Sequence, residues 1–259
     1  MNNRPTHPRT TLIVATVLAA SLMSGAAQAA LNDRGGGLIY DDVLDVTWLQ
    51  NANYGAGSSY DDSSSTTDGR MTWENAANWA ANLSYFDSVR NVTYSDWRLP
   101  TVEPVNGLSF NDSYSRNGST DNGYSISAPG SAYPGSTASE LAYMFYINLG
   151  NSPYYLPGEP LQQGCTDSTC LDNVGPFTNL QPSLYWAGTE LAVGSDPNST
   201  DYAWDFDMNG GNQFGHRKDN EFYAWAVRPG DVAAVPEPET YVMLLAGLAV
   251  IGAAVRRRG

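Results

Sequence analysis

Two apolar runs, one near each end, decide how much of this chain is left to fold. Residues 240–255 carry no charge; Val235, Pro236, Glu237, Pro238 and Glu239 precede them, and Arg256, Arg257 and Arg258 follow. As a helix the run would reach about 24 Å, slightly short of what a bilayer span requires. Arginine side chains that reach back to the interface make up the difference. Near the other end, Arg4, His7 and Arg9 precede an apolar segment over residues 12–23, and Ala27-Gln28-Ala29 supplies the small-x-small pattern a signal peptidase cuts. Residues 1–30 therefore read as a signal peptide. No Arg-Arg pair precedes the apolar segment, which points to the general secretory route. If the terminal arginines stay on the cytoplasmic side, residues 31–234 lie outside.

The order Pro-Glu-Pro, apolar span, basic cluster over residues 235–259 resembles the PEP-CTERM sorting signal of exported bacterial proteins, with an ordinary tail anchor or a buried helix as the alternatives. The resemblance implies two processing partners, signal peptidase and a PEP-CTERM-processing sorting enzyme. It also implies contact with the inner membrane through a C-terminal hydrophobic helix before processing. The destination is then the cell envelope, the cell surface or the extracellular matrix.

The remaining body is long enough for one large or two small domains, of which one is the simpler reading. The chain has 27 acidic and 13 basic residues, and five of the bases lie in the terminal segments. Such a surface repels nucleic acid and anionic headgroups but not neutral sugars. Cys165 and Cys170 are the only cysteines; in an exported protein their short spacing reads as a disulfide, two free thiols being the alternative. With His216 the one histidine of the body, a Cys₂His₂ zinc site is impossible.

Along the body, residues 38–40 and 43–49 read as two strands separated by a turn at Asp41-Asp42. Residues 51–69 are polar, rich in Gly and Ser, and read as a loop. Thr72 stands where an N-cap would, before Trp73, Ala76, Ala77, Ala80 and Leu83 at helical spacing. In Asp96, Trp97, Arg98, Leu99 and Pro100, an extended chain turns Trp97 and Leu99 to one side. Arg98 then faces the other way, available to an acid, and Pro100 stops the strand. Thr137-Ala138-Ser139-Glu140 has the pattern of a capping box, so a second helix is expected to begin near Ala138.

These landmarks, together with the opening Gly37-Leu38-Ile39-Tyr40-Asp41, the later Tyr185-Trp186-Ala187-Gly188-Thr189-Glu190 and the closing Tyr223-Ala224-Trp225-Ala226-Val227-Arg228, resemble the Lcl C-terminal domain family. The resemblance covers residues 36–231. It implies an α+β fold of the C-type-lectin-like, sulfatase-modifying-enzyme-like kind, an irregular β-sheet with two flanking helices. The member that names the family is similar to an adhesin for sulfated polysaccharides, a ligand poorly matched to so acidic a body.

A long Asn/Ser/Gly/Tyr-rich insertion, residues 103–135, departs from the simplest family pattern. Its aromatics Phe110, Tyr114, Tyr124 and Tyr133 either form a binding loop or pin the loop to the surface; Tyr124 and Tyr133 are the candidates for stacking on a sugar ring. Asp205-Phe206-Asp207-Met208-Asn209-Gly210 admits two readings. One is a calcium loop, which lacks the closing Glu because His216 stands there. The other is a strand entering a tight hairpin turn at Asn209-Gly210. No nucleophile elbow, phosphate loop or dinucleotide fingerprint occurs in the chain. The expectation is an exported, non-enzymatic module without cofactor, binding carbohydrate or matrix. A structural matrix component is the alternative, and a glycoside hydrolase the more distant one. Mass spectrometry of native material from a host with the sorting enzyme should show a chain beginning near Ala30 or Leu31 and lacking Arg256, Arg257 and Arg258; an intact tail there would leave only a plain anchor.

Overall fold

The computed structural model describes residues 31–158, 163–165, 169–191 and 201–232. The signal peptide, the sorting segment and its apolar run lie outside the described residues. The chain forms β1 (Leu31–Asp33), β2 (Leu38–Asp41), β3 (Val46–Leu49), β4 (Arg70–Met71), α1 (Trp73–Ala81), β5 (Tyr85–Asp87) and β6 (Val92–Tyr94). It continues through β7 (Tyr114–Ser115), β8 (Asn122–Tyr124) and α2 (Glu140–Tyr143), which runs on as a π-turn, Met144–Asn148. The last strands are β9 (Leu184–Glu190), β10 (Tyr202–Asp207), β11 (Asn212–Arg217), β12 (Phe222–Tyr223) and β13 (Val227–Pro229). They build an α+β architecture of a four-stranded sheet, β1-β2-β3-β13, a seven-stranded sheet, β4-β12-β9-β10-β11-β8-β7, and the small hairpin β5-β6.

The two sheets share one core because the chain from β12 to β13 passes from the larger to the smaller. Trp225, in that passage, is fully buried and donates its indole N–H to the Leu49 carbonyl at 2.7 Å. Its ring lies 4.5 Å from Trp48 and 4.7 Å from Phe177. Tryptophan suits this place because it supplies a large apolar surface and one donor that β3 can satisfy. Strand β3 is buried on both faces, as expected for apolar residues on both faces.

Four local expectations are corrected. The second strand begins at Val46, because residues 42–45 form a turn that Asp45 closes at φ +50°; Asp41 holds that turn by accepting the Val43 and Leu44 N–H groups. Thr72 does stand at the N-cap of α1, but its side chain makes no cap, the hydroxyl donating instead to Asp62. In α2 the cap is Ser139, which accepts from the Ala142 N–H, so Glu140 starts the helix instead of closing a box. The hairpin turn spans residues 208–211 rather than Asn209-Gly210 alone, with Asp207 paired to Asn212 across it.

Freed from capping, Glu140 takes both arms of the Arg98 guanidinium at 2.7 and 2.8 Å and also accepts the Thr101 N–H at 2.7 Å. The backbone of Arg98 bridges to Val227, and Gly188 of β9 donates to the Pro100 carbonyl. Trp97 and Leu99 are buried on the other side, and the Trp97 N–H reaches the Tyr94 carbonyl. Asp96 forms a forked pair with Arg228 of β13 at 2.8 and 2.9 Å. This segment therefore joins both sheets to α2. Replacing Trp97 by Ala should cost about 3–5 kcal/mol, the range for deleting a large aromatic from a core; urea denaturation that leaves the variant as stable as the parent would refute its structural role.

Candidate functional site

The insertion is organised by one carboxylate. Asp121, buried, accepts the Val105 N–H at 2.6 Å and the Asn111 N–H at 2.7 Å, while its carbonyl takes the Gln213 amide of β11. Strands β7 and β8 then pair in parallel at the edge of the large sheet, where Gly123 (φ +122°) lies so close to the Ser115 carbonyl that no side chain fits. Behind them the Tyr146 hydroxyl of the π-turn donates to the Gly211 carbonyl and accepts the Ser125 N–H. Insertion and hairpin turn are thereby fixed to the same buried phenol.

This arrangement lays rings from four separate stretches of chain side by side. Tyr154 and Tyr155 are 4.8 Å apart, Tyr155 and Tyr124 4.9 Å, and Tyr124 and Tyr114 6.5 Å. Tyr114 lies parallel to Phe214 at 6.3 Å, Phe214 is 6.3 Å from His216, and His216 is 5.2 Å from Phe222. The guanidinium of Arg116 sits over Tyr155 at 5.0 Å and Tyr114 at 5.5 Å. Most of these rings are half-buried, and Tyr114 is exposed. They form a continuous aromatic strip along the large sheet. Phe110 is not part of it and packs instead on Trp204.

At one end of the strip a cavity of about 200 Å³ opens between Tyr124, Tyr154, Asp207, Asn209 and Asn212. The disulfide Cys165–Cys170 borders it, with a Cα–Cα distance of 5.3 Å, and the Cys170 N–H donates to the Asn209 carbonyl. Burial pushes the Asp207 carboxyl up, against the pull of the Asn209 and Gly210 N–H groups. Burial also pushes the Tyr124 phenol up to about 12, so it stays protonated and able to donate. Aromatic walls with amides and a carboxyl between them are the chemistry that meets a sugar's C–H face and its hydroxyls together.

Tyr124 and Tyr133 are not brought together. Tyr124 walls the cavity, whereas Tyr133 is exposed and, among the described residues, makes no ring contact. The calcium reading of residues 205–209 gives way to the hairpin: Asp205 points along the sheet to His216, its Oδ2 2.6 Å from the imidazole Nδ1. Among the described residues no cluster of three or more His, Cys, Asp or Glu residues is placed to hold a metal ion. Tyr154, Tyr155 and Phe222 carry no local sequence signal of a site, because their partners lie far away in sequence and alternation alone does not say which rings meet.

The Asp205–His216 pair carries a sign. Burial foremost pushes the Asp205 carboxyl up to about 6, and the bond to Asp205 raises His216 above its usual value. In both cases the folded protein holds protons that the unfolded chain releases, so stability falls as pH rises from about 4 to beyond 6.5. Carboxyls held low, such as Asp87 and Asp96, lose their contribution only below that window. The melting temperature of the body should therefore decline from pH 5 to pH 8, and the decline should flatten in Asp205→Asn; a flat parental profile would show that the pair does not titrate as described.

No curated protein and no solved structure matches the chain. Residues 234–258 match the model of the PEP-CTERM protein-sorting motif, which marks the protein for export to the cell envelope or surface and for processing by a sorting enzyme. Residues 37–228 match the model of the Lcl C-terminal domain, a stretch that contains the whole aromatic strip. The chain belongs to the Lcl C-terminal domain family.

Proposed function

We propose that the exported body is a single-domain, non-catalytic module that binds neutral carbohydrate, in a polysaccharide or matrix, at the cavity between Tyr124 and Tyr154. The observation that carries this reading is the cavity itself, where half-buried tyrosine faces stand next to Asp207, Asn209 and Asn212. Neutral sugars suit an acidic body, since stacking and hydroxyl hydrogen bonds need no positive field. A binding role fits the carboxylates better than hydrolysis does: Asp205 is engaged by His216, and one oxygen of Asp207 takes the Asn209 N–H. On this reading the fold is a variant of the C-type-lectin-like group, and the apolar run holds the body at the inner membrane until the sorting enzyme acts.

A structural matrix component without a ligand site is the second reading, favoured by the rings' contacts with one another and with Arg116. An array of neutral oligosaccharides separates the two. Binding should persist in chelator and at high ionic strength and release no reducing sugar. It should fall at least about fivefold in Tyr124→Ala and in Tyr154→Ala, loss of one stacked ring being worth about 1–3 kcal/mol by analogy with base–aromatic stacking. An array blank for the parent protein would leave the structural reading, and steady hydrolysis would move the protein to the enzymes.

A further inference from the structure

Beyond the cavity, the aromatic strip does not stop. It continues from Tyr114 to Phe214, His216 and Phe222 in ring-to-ring steps of 5.2–6.3 Å. Among the described residues, His216 is the polar ring in this continuation. The imidazole of His216 is oriented by a carboxylate from below: Asp205 is fully buried, its Oδ2 bonds Nδ1, and its Oδ1 has no partner among the described residues. With Nδ1 committed inward and the side chain 39% exposed, Nε2 is the atom left for something outside. The charged groups acting on the ring are Asp205 and Asp207 of β10. From β12 it meets the uncharged ring of Phe222, itself packed on Trp186 of β9.

Resting on the carbohydrate reading, we infer that His216 forms a second subsite of the same surface, bonding a hydroxyl of a further sugar unit, so that the strip takes the interior of an extended neutral chain instead of a chain end. A neutral imidazole accepts that hydroxyl's proton at Nε2; an imidazolium, balanced by Asp205, donates to the hydroxyl oxygen in a stronger, charge-assisted bond. Long chains therefore bind more tightly as pH falls, whereas a unit held in the cavity alone does not sense His216.

The test uses the mature body with cellobiose and cellohexaose, equatorially linked glucans whose flat rings suit an aromatic strip. Cellohexaose should bind at least tenfold more tightly than cellobiose, and about fivefold more tightly at pH 6 than at pH 8, the ratio expected when a charge-assisted hydrogen bond replaces a neutral one. His216→Gln should abolish the pH effect on cellohexaose binding. A readout that needs no variant comes from NMR, because His216 is the one imidazole of the body. By linkage, saturating cellohexaose should raise its titration midpoint by about 0.7 in pH, and cellobiose should not. Equal affinity for the two sugars, or an unmoved midpoint, overturns this inference while leaving the cavity reading intact. Binding of neither sugar by the parent protein overturns the inference as well, and the array then decides the cavity reading separately.

Discussion

The forked pair between Arg98 and Glu140 is the contact on which the rest of the structure converges. Glu140 is largely buried, and a buried carboxylate is costly unless it is both paired and hydrogen-bonded. Here it has a guanidinium with two aligned donors and a backbone N–H besides. Each partner also belongs to a different layer. Arg98 is bridged to β13 of the small sheet, the following Pro100 accepts from β9 of the large sheet, and Glu140 opens α2, whose four residues are all buried. The pair fixes relative positions more than it adds net stability, and Trp97 and Leu99 supply the apolar burial around it.

The aromatic strip is a consequence of that frame. Once α2 is placed, its π-turn carries Tyr146 to the hairpin turn and the insertion together. Tyr124 and Phe214 then come from neighbouring strands, and Tyr154 and Tyr155 lie against them because the Tyr154 N–H binds the Gly210 carbonyl of the turn. The disulfide closes the loop beside this contact. On the proposed reading, a site held by these contacts would bind with little ordering cost.

The same tyrosines serve packing and candidate recognition at once. Their rings touch one another, fastening an irregular insertion to a regular sheet, and Tyr124 and Tyr154 also line the cavity. The two readings of the insertion, pinned surface loop and binding loop, are therefore compatible: the contacts that pin the loop leave Tyr124 at the cavity.

Much of this was legible along the chain. The terminal segments announce export by charge order and apolar length, which are local properties. The pair Cys165 and Cys170 announces a disulfide by spacing and compartment. The Trp97-Arg98-Leu99 alternation announces one buried side and one charged side. The sequence could not identify Glu140 as the partner of Arg98, because its place after Thr137 reads equally as a capping box; the choice of Ser139 as cap follows from helix position relative to residues 98–102. Nor could it tell that Tyr124 would meet Tyr154 and Tyr155 while Tyr133 would not. Local pattern fixes periodicity, turns and which residues are apolar, and these depend only on near neighbours. Which distant rings and charges meet depends on sheet order and register, and in this protein those were settled by the passage of residues 98–102 and 222–229 between the two sheets.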